Sequence, residues 1–158
     1  WKPPKPPPAS KMIDGRPNFA GKWSCYRCDG DMEAFFKESG IHWAAATALQ
    51  TAGWGVGVTG RSVKQAGDDF EVRDWWPLGS STLKFRVDAG EQETVGRGFG
   101  VLVTPTMEHG YILHLVTQVK DRSTVPNAPV RYYFDGDDLV IDLESPSGRH
   151  VKYFHTLA

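Results

Sequence analysis

Cys25-Tyr26-Arg27-Cys28 sets two thiols at the spacing used by redox dithiols and by half of a zinc site. A metal needs convergent ligands, and no second pair exists, because the chain holds two cysteines in all. On an extended strand, residues three apart face opposite sides, so these cysteines are expected to pack rather than ligate. The five histidines, His42, His109, His114, His150 and His155, are scattered. His114 shares a strand face with Ile112 and Val116, and His155 with Tyr153 and Leu157. Each reads either as a pocket base or proton sensor, or as a hydrogen-bonded core histidine. There is no nucleophile elbow, phosphate loop or acidic metal cluster. Asp135-Gly136-Asp137-Asp138 lacks the remainder of a calcium loop and reads as a hairpin turn. No cofactor is implied, and no catalysis.

The composition narrows the function classes further. With 18 basic against 19 acidic residues, and a net charge of −1, the chain offers no field to nucleic acid or an anionic membrane. No apolar run approaches the ~18 residues that a membrane-spanning helix needs. A length of 158 residues with 40% in the apolar set suits one soluble domain with one core. Two cysteines make no disulfide framework, so a reducing, cytoplasmic setting is expected, or an organelle interior if a targeting segment has been removed. The opening Trp1 suggests a processed or trimmed product.

The elements that must position these residues fall into a clear order. Residues 1–17 carry Lys2-Pro3-Pro4-Lys5-Pro6-Pro7-Pro8, which is expected to be an extended leader. It is either a solvated segment or a ligand for a protein partner with an aromatic groove. Residues 18–158 form the domain. Phe19, Trp23 and Cys25 mark a first strand. Asp31 is a fair N-cap, and Met32, Phe35 and Phe36 follow at helical spacing up to Gly40. A second helix over 41–52 would bury Trp43, Ala44, Ala48 and Leu49. Everything after Gly53 alternates with period two, in segments separated by turns such as Gly67-Asp68 and Asp135-Gly136. Val95 to Thr104 reads as one of these strands. Trp75-Trp76-Pro77 puts one tryptophan on each strand face, and the outer one is either a docking patch or a shield at a barrel mouth. One strand, two helices and about eight further strands make an antiparallel barrel with a helical lid.

Phe19-Ala20-Gly21-Lys22-Trp23, Phe35-Phe36-Lys37-Glu38-Ser39-Gly40-Ile41, Ser81 to Glu93, Arg131 to Leu139 and Val151 to Leu157 occur in an order that resembles the intracellular lipid-binding proteins. These are the fatty-acid-binding and retinoid-binding branch of the calycins. The resemblance implies an all-β, ten-stranded antiparallel barrel with a helix-turn-helix lid, similar to fatty-acid-binding proteins and lipocalins. It also implies a monomer that carries a fatty acid, retinoid or similar apolar ligand, without catalysis.

Carried over residue by residue, the resemblance places a carboxylate anchor on Arg131 and Lys152, both pointing inward. Phe154 stands where many members have a tyrosine, and Tyr133, Phe36 and His114 complete the expected ligand-binding set. Two departures stand out. One extra residue precedes the first helix, and Asp121 to Pro129 is longer and richer in proline than the usual hairpin. Two other functions remain open. One is an accessory subunit docking through the leader and Trp75-Trp76; the other is a barrel enzyme resembling dinoflagellate luciferase domains. Inward aromatic side chains would discriminate, since a void marks a carrier and a filled core a scaffold.

Overall fold

A computed structural model describes residues 1–77, 79–96, 99–120 and 129–158. Within the leader, β1 (Met12–Ile13) and β2 (Arg16–Pro17) pair as a small hairpin. The barrel then runs through β3 (Gly21–Asp29), helices α1 (Met32–Glu38) and α2 (Trp43–Thr51), β4 (Gly60–Ala66), β5 (Asp69–Trp76) and β6 (Gly79–Arg86). It continues with β7 (Gln92–Gly96), β8 (Phe99–Glu108), β9 (Ile112–Val119), β10 (Val130–Asp135), β11 (Asp138–Glu144) and β12 (His150–Leu157). The sheet order is β6-β5-β4-β3-β12-β11-β10-β9-β8-β7, every neighbour antiparallel. This is the all-β, ten-stranded barrel with a two-helix lid. The stretch read as one strand from Val95 to Thr104 is a hairpin in which Gly96 pairs with Phe99. The insertion Asp121 to Pro129 lies, except for its last residue, outside the described residues.

Strands β6 and β7 end the sheet and face each other across a seam. Among the described residues, side chains bridge it. Lys84 N–H donates to Thr94 Oγ1 at 3.4 Å, while Gln92 accepts from Arg86 N–H at 2.7 Å and donates to its carbonyl at 2.6 Å. The Gln92 amide thus supplies the donor and acceptor that a neighbouring peptide would.

The helices follow their local chemistry. Asp31 caps α1 by accepting from Ala34 N–H at 3.0 Å, and Met32, Phe35 and Phe36 are buried. Helix α2 departs from expectation. Only Leu49 is buried, in the core cluster, and Trp43 is 74% exposed, because the helix packs chiefly against α1 and the tight turn Gly53–Gly55. Its N-terminus is capped by His42, whose Nδ1 accepts from Ala44 N–H at 3.2 Å.

Inside, the barrel is filled at the end away from the helices. Phe19 and Phe134 have ring centroids 5.2 Å apart, Trp23 and Phe134 6.1 Å, and Phe70 stacks on Phe85 at 5.6 Å. The Trp23 indole donates to Phe19 O at 2.9 Å, so this plug leaves no indole N–H unsatisfied. A second, separate cluster of Ile112, Tyr133, Val140 and Phe154 lies on the outer face. The leader runs across it: Tyr111 Oη donates to Pro4 O at 2.9 Å, and Trp1 stacks on His150 at 5.4 Å. The leader therefore has defined contacts with the barrel.

Candidate functional site

Beneath the lid the barrel is hollow. A cavity of about 270 Å³ lies between Phe36 and Trp54 above and Leu83, Leu115, Val130 and Leu143 on the walls. Phe36 and Trp54 stack at 5.6 Å with planes 5° apart. Trp54 sits in the left-handed region at φ 59°, and its carbonyl accepts from Tyr153 Oη at 2.9 Å, which ties the roof to β12. Phe36, one of the residues expected to bind ligand, lines this cavity. The interior thus holds an aromatic plug toward one end and a cavity toward the other.

The cavity wall carries a charged strip. Arg61, Asp74 and Ser81 stand opposite one another on β4, β5 and β6. Arg61 Nη1 donates to Asp74 Oδ2 at 3.1 Å. The other carboxylate oxygen accepts from Ser81 N–H at 3.0 Å and Ser81 Oγ at 2.6 Å. The Arg61 guanidinium lies 5.4 Å from the ring centre of buried Tyr132. Arg61 Nε and Thr59 Oγ1 are buried and have no hydrogen-bond partner among the described residues. The carboxylate is fully engaged, whereas the guanidinium keeps a free donor.

The other expected site residues lie elsewhere. On β10 the inward residues are Val130, Tyr132 and Phe134, so Arg131 and Tyr133 face outward. Val151 and Tyr153 point inward on β12, leaving Lys152 and Phe154 outside. The inward orientation expected of Arg131 and Lys152 is therefore off by one residue, the slip that turns every side chain over. Arg131 is held by Glu108 at 3.0 Å and Glu144 at 2.8 Å, with the Trp1 ring 4.9 Å away. Outward-facing His114 stands beside Arg131 and makes a 3.5 Å contact from Nδ1 to Thr106 Oγ1. Tyr133, Lys152 and Phe154 do come together, along an outer groove of about 470 Å³ walled by Pro3 to Pro8. Arg27 covers the Phe154 ring at 3.7 Å, and Tyr133 Oη donates to buried Asp142 at 2.8 Å. Arg61 and Asp74, which do line the cavity, were not singled out from sequence.

Strand β3 carries a bulge. Phe154 pairs with Arg27, but the next residue, His155, pairs with Cys25, so Tyr26 is skipped. The extra residue puts Cys25 and Cys28 on the same, inner face, contrary to plain alternation. Both are free thiols, and burial pushes the Cys25 pKa up to about 11, which keeps it protonated and poorly nucleophilic. Inward-facing His155 is fully buried, and burial together with the Arg61 charge pushes its pKa down to about 4. Its Nε2 has no hydrogen-bond partner among the described residues. Trp76 packs against the core, while Trp75 covers Gly60, where a Cβ would fall 2.4 Å from the indole. A larger residue at position 60 would strike both Trp75 and the Trp23 backbone carbonyl.

No family model matches the sequence, and no curated protein matches it. Solved structures do resemble the fold. As-p18, described as an extracellular fatty acid binding protein, aligns over 89% of this chain and 96% of its own, with a TM-score of 0.69 and 15% identity. Human cRBP IV aligns over 89% and 98%, with a TM-score of 0.65 and 20% identity. The fatty-acid-binding protein of Manduca sexta aligns over 87% and 98%, with a TM-score of 0.62 and 19% identity. At such identities the likeness establishes architecture. The chain has the fold of the fatty-acid-binding proteins, and the chemistry of its interior must be argued from its own residues.

Proposed function

We propose that this protein binds and carries a small apolar ligand inside the barrel, without catalysing its conversion. The observation that carries this reading is the cavity beneath the lid, walled by Leu83, Leu115, Val130 and Leu143 and roofed by two stacked aromatic rings. Enclosing an alkyl chain there contributes about 0.8 kcal/mol per methylene before ordering costs, enough for binding without a head-group clamp. The volume lies just under the ~300–1,000 Å³ usual for drug-sized ligands, which favours a short or medium chain. Structural neighbours described as fatty-acid-binding support the reading. The free cysteines support a reducing, cytoplasmic setting.

Leu115→Trp tests the assignment by filling the cavity from one wall. A fluorescent apolar dye should bind the parent protein saturably, with one site per chain. It should bind the variant at least tenfold more weakly, with the β-rich circular dichroism unchanged. Equal binding by a folded variant would place the ligand elsewhere and overturn the proposal.

A further inference from the structure

Resting on that reading, we infer that the ligand carries a neutral oxygen head group, an alcohol or carbonyl, and that the Arg61–Asp74 pair excludes carboxylates. An isolated buried arginine would attract an acid. Here the guanidinium already faces Asp74 at 3.1 Å, and the pair has no net charge. A ligand carboxylate entering beside it would meet attraction from Arg61 and repulsion from Asp74 at similar range. Its desolvation would go largely uncompensated. Asp74 cannot move aside cheaply, because Ser81 holds its second oxygen with two hydrogen bonds.

A neutral oxygen meets a different site. Arg61 Nε–H and the Thr59 hydroxyl, both on residues that line the cavity, lack acceptors among the described residues. A hydroxyl or carbonyl oxygen would satisfy them without introducing charge. The pair itself is weak support for stability, since buried ion pairs seldom outperform apolar replacements. A head-group filter gives it a use that packing alone does not.

The test measures decan-1-ol and decanoate against the full-length protein at pH 7.5 by calorimetric titration. The parent should bind the alcohol at least tenfold more tightly. Asp74→Asn leaves Arg61 uncompensated and should strengthen decanoate binding at least tenfold, reversing the preference. Because one uncompensated charge can impair folding, the double variant Arg61→Met/Asp74→Leu is measured as well. It should lose the discrimination between decan-1-ol and an apolar probe of equal length, decane. Decanoate bound as tightly as decan-1-ol by the parent overturns the inference while leaving carriage standing. Failure of all three ligands to bind the parent overturns both.

Discussion

His155 couples the barrel to pH through its burial and the nearby Arg61 charge. Its imidazole takes a proton near pH 4 in the fold, against an ordinary 6.5. Between those values the unfolded chain binds more protons than the folded one, so stability is complete above pH 6.5 and declines as pH falls toward 4. The loss amounts to about 3 kcal/mol at most, from 1.36 kcal/mol per pH unit. His155→Leu should remove most of this slope in denaturant titrations run at pH 7 and pH 4.5. An identical slope in both proteins would assign the acid sensitivity to other groups. Residues of the site were readable unevenly. Counting back from the Gly67-Asp68 turn pairs Ala66 with Asp69 and so Arg61 with Asp74, and Asp74 shares a phase with Phe70 and Val72. An acid in an apolar phase opposite an arginine was a legible signal of an internal ion pair. Arg131 carries the contrary signal, since Val130, Tyr132 and Phe134 form the apolar phase of β10 and leave it on the outer face.

Besides the Tyr153 bond to the Trp54 carbonyl, the lid is fastened at the end of α1. Glu38, at the end of α1, accepts from Ser145 Oγ and Ser147 Oγ, both at 2.6 Å, and from Arg149 Nε at 3.1 Å. These bonds hold its pKa down to about 2, so the latch is complete above the ordinary value of 4.5 and is lost as pH falls through 2. Replacing Glu38 by Gln keeps the shape and removes the charge. Amide exchange over residues 32–38 should then quicken several-fold at pH 7 while the amides of β11 and β12 stay unchanged. Uniform acceleration across the barrel would mean that Glu38 supports the whole fold instead. Helix α1 was legible because Asp31, Met32, Phe35 and Phe36 agree with one another as cap and stripe. The face of α2 was not, since its alanines fit either side and Trp43 misled. The β3 bulge was equally hidden, because nothing local in Cys25-Tyr26-Arg27-Cys28 departs from alternation.

At the scale of the molecule, the hollow under the lid must be told apart from the outer groove beneath the leader as the place a ligand binds. Order of strands and helices made the barrel legible in the sequence. The division of its interior into an aromatic plug and a void was not, since it depends on how deeply Phe19, Trp23 and Phe134 reach across. Nor was the leader's course, because prolines show no periodicity and its contacts at Tyr111, Asp142 and His150 come from distant strands. The cavity has the apolar walls and the ion pair, whereas the groove is lined by Lys2, Lys5 and Lys152 among the prolines. Isotope-filtered nuclear Overhauser spectroscopy of methyl-labelled protein with decan-1-ol separates them directly. Cross-peaks from the alkyl chain should reach the methyl groups of Leu83, Leu115 and Leu143 inside the barrel. Cross-peaks confined to Val140, which lines the outer groove, would contradict internal carriage.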